Sequence, residues 1–214
     1  MILSDKTILQ EIDNGNIIIS PLNPAYVNPN SVDLTLAPVF KVYRPDMIII
    51  DTLYDLPDWV KQTGKYETMF DGGFGYDAPL DPRKPNNTIE QIIPEEGYVL
   101  IPGEVYLYAC NERIGVKNNI RAKVEGKSSL GRLGLFVHVT AGFIDTGFEG
   151  SLVLELVATR PIRIYPNMKI CQVEFARVEG EIMETYDQKS GSKYMNQTGV
   201  QESLMHKNFD HGSK

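Results

Sequence analysis

Between Val124 and Glu155 the chain gathers three kinds of side chain that together suit a phosphorylated ligand. Lys127, Ser128, Ser129 and Arg132 follow Gly126 at the point where a strand ends and a short helical turn begins, with Leu130 and Gly131 completing that turn. The start of a helical turn presents free N–H groups and the positive end of its dipole, which attract anions. Serine hydroxyls add donors, and a guanidinium bridges two phosphate oxygens in a bidentate way. The same residues also fit a plain serine cap beside two surface cations.

Glu155 and Asp145 supply the acids. If the run Ser151 to Ala158 is a strand, Val153, Glu155 and Val157 share one face and Leu152, Leu154 and Leu156 the other, so neither face looks wet. A carboxylate shielded in this way is expected to be desolvated, with a pKa raised toward neutrality, where a general acid/base works best. The bland alternative is an edge glutamate paired with Arg160 or Arg163. Asp145 lies between Gly142-Phe143-Ile144 and Thr146-Gly147-Phe148, a turn-like setting for an acid that bonds a sugar hydroxyl, or for an ordinary Asx turn. His138 is a possible base or ligand, but the apolar run Phe136 to Val139 favours a satisfied core histidine. Phosphate binders, a sugar-binding carboxylate and a shielded acid together read as the site of a nucleotide enzyme.

Several chemistries have no residues to stand on. Zinc-dependent base deaminases carry H-x-E followed by P-C-x-x-C, and nothing here matches. With three histidines and two isolated cysteines there is no zinc tetrad. Walker A loop, dinucleotide fingerprint and nucleophile elbow are also missing from the sequence. A chain of this kind that removed an amine would have to activate water with a carboxylate and a hydroxyl alone.

At 214 residues and 42% hydrophobic content the chain is long enough for one domain with embellishments. Its 21 basic and 28 acidic residues leave a net charge of -7, which argues against nucleic acid as a partner and leaves room for a small ligand in a local cationic pocket. No apolar run approaches a membrane span, and Met1 to Lys6 has no secretory pattern, so a soluble cytoplasmic protein with no membrane partner is expected. Cys110 and Cys171 read as buried, reduced thiols.

The elements that must position these residues are mostly strands. Ser4 reads as an N-cap, with Ile8, Leu9 and Ile12 on one helical face and Gly15 as the stop. The period then changes to two, at Ile17 to Ile19 and Ser31 to Leu36, where Asp33 and Thr35 face away from Val32, Leu34 and Leu36. Phe40 to Tyr43 and Met47 to Ile50 continue the β pattern. The stretch 51–87 reads as an insertion, with a helical turn around Leu56 to Lys61 and the glycine-rich run Asp71-Gly72-Gly73. Strands are then expected at Ile89–Ile93, Tyr98–Ile101, Val105–Cys110, Ile120–Glu125, Phe136–Val139, Ser151–Ala158, Ile162–Tyr165 and Ile170–Arg177, spacing that argues for an all-β sandwich or jelly roll. The domain is expected over 1–180, and the polar stretch 181–214 as a flexible tail able to close over a ligand.

These residues resemble the dCTP deaminase branch of the trimeric dUTPase superfamily. The resemblance runs from Met1-Ile2-Leu3-Ser4-Asp5 through Ser31-Val32-Asp33-Leu34 to Lys193-Tyr194-Met195-Asn196-Gln197, with the region from about 45 to 90 unmatched. It implies a mainly β, distorted jelly roll with a short N-terminal helix, assembled as a homotrimer with sites between subunits. It implies triphosphate binding by Lys127, Ser128, Ser129, Leu130, Gly131 and Arg132, a deoxyribose contact at Asp145, and base contact with proton shuttling at Val153, Leu154 and Glu155. Gln172 falls on the glutamine of the I-x-Q strand, and Tyr186, Lys193 and Gln197 match the closing tail. Ser128 is expected to orient the attacking water. Magnesium is expected to arrive with the triphosphate and not in a protein cage.

Two branches differ before the I-D element. Members releasing dUTP resemble T-A-H-R-I-D, and dUMP-forming members T-A-G-[FW]-I-D; here the residues are Thr140-Ala141-Gly142-Phe143-Ile144-Asp145. The bifunctional dUMP-forming version is therefore expected, with Gly142 leaving room for the water that attacks the α-phosphate and Asp145 aligning it. The alternatives are a deaminase that releases dUTP, a plain dUTPase, and a non-catalytic nucleotide-sensing trimer. Thr198 to Ser203 lacks the tail arginine of either branch.

Overall fold

In the computed structural model, which describes residues 1–69 and 72–209, the chain opens with helix α1 (Asp5–Asp13). Ser4 stays extended and accepts the Thr7 N–H at 3.4 Å, and Gly15 leaves the helix at φ +73°. Ile8 is fully buried, but Leu9, expected on the same face, is exposed. Glu11 is buried there instead, because Arg177 neutralises it and the Asn16 amide donates to it.

Strands β1 (Ile17–Ser20), β2 (Val27–Asn28) and β3 (Ser31–Tyr43) follow. From Tyr43 the chain enters a second compact unit, Tyr43–Ile89 together with the residues from Ser203 onward. That unit contains β4 (Met47–Ile50), α2 (Asp58–Thr63), β5 (Glu67–Thr68) and β6 (Phe74–Asp77), with β6 between its two partners. Leu56, Val60 and Tyr76 make its small core, and the Trp59 ring meets Tyr76 edge-on at 5.9 Å. The helix starts after Pro57, two residues beyond the expected start at Leu56, and stops at Gly64 with φ +65°. Asp71 of the glycine-rich run and residues 210–214 of the tail lie outside the described residues.

After β7 (Thr88–Ile92) the first unit, Met1–Val42 with Glu90–Glu202, resumes. It carries β8 (Tyr98–Leu100), β9 (Tyr106–Val116), β10 (Ile120–Gly126), α3 (Ser128–Gly131), β11 (Leu135–Phe136), β12 (Phe143–Ile144), β13 (Glu149–Ala158), β14 (Ile162–Ile164) and β15 (Lys169–Arg177). One antiparallel sheet runs in the order β11-β13-β9-β3-β15-β10-β12, with β1 also on β9, while β8 and β14 pair separately. The fold is mainly β, as the strand spacing predicts. β9 and β10 are joined by a two-residue turn at Asn118 and Asn119, both with positive φ, yet β3 and β15 lie between them in the sheet.

The core sits on the inner faces of these strands. Leu152, Leu154, Leu156 and Ala158 point inward from β13, and Ile120, Ala122 and Val124 from β10. Tyr108 stacks on Phe40 with ring centroids 4.7 Å apart, and both rings are fully buried. Cys110 and Cys171 are buried free thiols with sulfurs 3.8 Å apart. Among the described residues no helix is long and apolar enough to cross a membrane.

Candidate active site

Lys127 to Arg132, the residues expected to bind phosphate, sit at the end of β10. Lys127 is the extended N-cap of α3, and its carbonyl accepts the N–H groups of Leu130 and Gly131. Ser128, Ser129, Gly131 and Arg132 are exposed, and Leu130 packs against the core, which anchors the turn. The Ser128 and Ser129 N–H groups, at the start of so short a helix, have no carbonyl partner within it. The Lys127 ammonium is not free: it lies 2.5 Å from Oδ1 of Asp33, a buried carboxylate on β3. Lys169 reaches Oδ2 of the same group at 3.0 Å. Burial works against the charge on Asp33, and hydrogen bonds from the two lysines outweigh it, holding its carboxyl below the ordinary aspartate value.

Gln172 stands opposite Glu125 in the β10–β15 register and opposite Asp33 in the β3–β15 register. Its amide donates to the Gly126 carbonyl at 3.3 Å and accepts from the Ser31 hydroxyl at 3.5 Å. It therefore braces the strand end that leads into Lys127.

Val153, Leu154 and Glu155, the residues expected to contact a base, lie on β13. Glu155 shares the outer face with Val153 and Val157, and all three are half-buried. Among the described residues the shielding of Glu155 is therefore partial. Oε2 of Glu155 accepts the Val139 N–H at 3.0 Å, and neither Arg160 nor Arg163 is its partner. Leu154 corrects another expectation: its side chain is 1% exposed and belongs to the core, so it offers no side-chain contact to a ligand.

The segment between these two halves departs most from expectation. Only Leu135 and Phe136 form a strand, and Phe136 and Val139 are exposed. His138 is consequently in a loop, and its Nδ1 is buried without a hydrogen-bond partner. Gly142 is buried, and a Cβ there would lie 3.2 Å from the Val124 carbonyl and 3.4 Å from the His138 ring. The room beside Gly142, expected to admit water, is occupied by His138. Phe143 is 71% exposed, with the Arg121 guanidinium 5.5 Å from its ring centroid.

Asp145 is exposed and opens a turn in which its carbonyl accepts the Phe148 N–H. Tyr186 of the tail lies against that turn: its N–H donates to Thr146, and its ring meets Phe148 at 5.8 Å. Gln197 donates to the Ser151 carbonyl at 2.6 Å, and the Ser151 N–H donates back to Gln197. Lys193 is half-buried in the turns between these two points. Within one chain, then, the turn that Asp145 opens meets Tyr186 through Thr146 and Phe148, and the β10 end meets Asp33 and Gln172. No hydrogen bond joins Ser128 to Glu155; Val137 packs on Gly126 while Val139 bonds Glu155.

A family model described as dCTP deaminase-like matches residues 2–178. The chain belongs to the dCTP deaminase-like family. Among relatives of this dCTP deaminase-like chain, a protein of Clostridium botulinum (strain Alaska E43 / Type E3) named "dCTP deaminase, dUMP-forming" is 41% identical, over 98% of this chain and 99% of its own. A protein of the same name from Nocardioides sp. (strain ATCC BAA-499 / JS614) is 37% identical, over 98% and 97%. The solved 2'-deoxycytidine 5'-triphosphate deaminase from Agrobacterium tumefaciens aligns with a TM-score of 0.52 at 22% identity, covering 81% of this chain. This chain spans about half of that longer one, 47%, and the likeness is one of fold. Asp33, which the strand pattern places on the face opposite Val32, Leu34 and Leu36, is the residue that joins the Lys127 end of β10 without any spacing to announce it. Its signal was an acid between Val32 and Leu34 on a strand in which every residue from Ser31 to Leu36 is buried.

Proposed function

We propose that this protein hydrolyses dCTP to dUMP, ammonia and pyrophosphate, consuming two molecules of water. The observation that carries the reading is the end-to-end match to relatives named for the dUMP-forming deaminase, 41% identical over 98% of the chain. The acid, hydroxyls and cations that such a reaction needs stand on the same chain. In the first half-reaction Glu155 takes a proton from water as the oxygen adds to C4 of cytosine, and the proton passes to N3. A second transfer protonates the amine, the C–N bond breaks, and ammonia leaves as the C4 carbonyl forms. With Oε2 engaged by Val139, Oε1 is left to handle the proton. Ser128 orients the water, and Val153 lies beside the ring.

Lys127, Ser129 and Arg132 grip the phosphates, with Leu130 and Gly131 setting the backbone of the turn. Asp145 bonds the deoxyribose, and Tyr186, Lys193 and Gln197 bring the tail over the nucleotide. In the second half-reaction water attacks the α-phosphorus, aligned by Asp145, and the bond to the bridging oxygen breaks to release pyrophosphate. Gly142 serves this branch by letting His138 pack close, and Phe143 shields the same corner.

The half-buried face of Glu155 and the exposed Ser128, with no hydrogen bond joining the two, both favour a homotrimer, in which Ser128 of one copy meets Glu155 of the next. Such an interface would supply the desolvation that one chain lacks. Magnesium would be held by triphosphate oxygens, the hard donors it prefers. Among the described residues no group of three His, Cys, Asp or Glu side chains converges, and Asp33 is already committed to two lysines. When bound, the ion neutralises phosphate charge. The two buried thiols suit a reducing compartment, the cytoplasm.

Incubation with dCTP and magnesium followed by ion-exchange chromatography tests the reading. dUMP and pyrophosphate without a standing pool of dUTP are expected. Persistent dUTP would reduce the activity to deamination alone, and turnover of dUTP with none of dCTP would make the protein a plain dUTPase.

A further inference from the structure

Asp33 has a side chain 4% exposed and two ammonium partners, Lys127 at 2.5 Å and Lys169 at 3.0 Å. One lysine is enough to match a buried carboxylate, so two leave this corner with a net positive charge. Lys169 is held from a second side as well, with its ammonium 4.2 Å from the centroid of the Tyr26 ring. The same face of β3 carries Ser31, which bonds Gln172, and Gln172 bonds the Gly126 carbonyl. β3 and β15 therefore fix the backbone just before Lys127 and the ammonium at the tip of its side chain. An ammonium has three N–H donors, and Asp33 takes one.

We infer that Asp33 is a positioning residue for the phosphate grip, aiming the spare donors of Lys127 at a triphosphate, with Lys169 as the second anchor that keeps Asp33 charged and in place. The inference rests on the reading that the Lys127–Arg132 segment takes the triphosphate. Lys169 matters because a ligand that draws Lys127 away would otherwise strand a buried charge, which is costly. With Lys169 already at 3.0 Å, the carboxylate stays paired and Lys127 can share itself with a phosphate oxygen. Neither Asp33 nor Lys169 needs to touch the nucleotide.

The test is calorimetric titration of the full chain with dCTP and, separately, with inorganic tripolyphosphate, alongside steady-state kinetics on dCTP. The proteins are the wild type, Asp33→Asn, Lys127→Met, the double variant and Lys169→Met. Asp33→Asn is expected to raise KM and both dissociation constants roughly tenfold, the scale of one hydrogen bond to a charged group, with kcat within about threefold. Lys169→Met shifts the same constants in the same direction by less, and remains a test if Asp33→Asn does not fold. Because Asp33 acts through Lys127, the double variant binds no more weakly than Lys127→Met alone. Unchanged dissociation constants in Asp33→Asn, or a full additive effect in the double variant, would overturn the inference. A wild type that binds tripolyphosphate but ignores dCTP would instead overturn the proposed function, and the coupling of Asp33 to Lys127 would still be read from tripolyphosphate.

Discussion

The Val139 N–H donates to Oε2 of Glu155 at 3.0 Å, so the loop that carries His138 also aims the proposed proton shuttle. Because that loop packs on Gly142, the backbone at one position controls the direction of a carboxylate on another strand. A β-methyl at 142 would crowd the Val124 carbonyl at 3.2 Å and rest in ordinary contact with His138 at 3.4 Å, so the backbone at 142 and 124 must part slightly and the segment back to His138 shifts with it. Gly142→Ala is expected to cost about 1–3 kcal/mol of stability, as overpacking does, and to slow deamination roughly tenfold to a hundredfold through misplacement of Glu155. Thermal denaturation and single-turnover rates measure the two effects. A variant with parental stability and rate would show that the loop is not coupled to Glu155.

Acid should weaken the fold through Asp33 and Glu11. For Glu11 the Asn16 hydrogen bond lowers the pKa, burial opposes it, and Arg177 lowers it further. For Asp33 burial opposes the charge and the two lysines prevail. A carboxylate with a depressed folded pKa adds stability above its unfolded pKa and loses it as pH falls through the folded value. Stability should therefore fall steeply below about pH 4, and the slope should be shallower in Asp33→Asn, which no longer takes up a proton there. Denaturant melts between pH 2 and 6, roughly the carboxylate range, compare the slopes. Equal slopes would mean that Asp33 is not held as the structure has it.

The tail should open when Tyr186 is removed. Its N–H bonds Thr146, its hydroxyl accepts the Tyr194 N–H at 3.2 Å, and its ring rests on Phe148. Tyr186→Ala forfeits the aromatic pair, worth about 0.5–1.5 kcal/mol beyond its buried area, and the hydroxyl contact with Tyr194, leaving only the backbone bond to Thr146 of the three anchors. Faster amide exchange is expected across residues 146–151 and 194–199, with KM for dCTP raised several-fold. Unchanged exchange would place the hold of the tail elsewhere.

The parts of this protein legible in the sequence are those whose cause is local. Ser4 and Gly15 bound a helix because a cap and a left-handed stop are single-residue devices, and Asn118-Asn119 marks its turn for the same reason. The alternation of β13 was readable because one of its faces is core. What misled was long-range. Leu9 and Glu11 exchange expected roles because Arg177, far along the chain, makes the acid cheaper to bury than periodicity suggests. Phe136 to Val139 looks like a strand, yet the pairing ends at Phe136, and of its apolar side chains Val137 is buried while Phe136 and Val139 are exposed. Glu155 reads as shielded because its neighbours are valines, although within the chain it is only half-buried. Asp33 lies 94 residues from Lys127, and no spacing rule joins them.

The central claim is that Glu155 carries the protons, and Glu155→Gln tests it most directly. Glutamine keeps the shape and an oxygen to accept the Val139 N–H, but it cannot take a proton from water. Deamination of dCTP, followed as ammonia release under saturating nucleotide, is predicted to fall by about a thousandfold while KM stays within a few-fold. A Glu155→Gln protein that releases ammonia as fast as the parent would contradict the account.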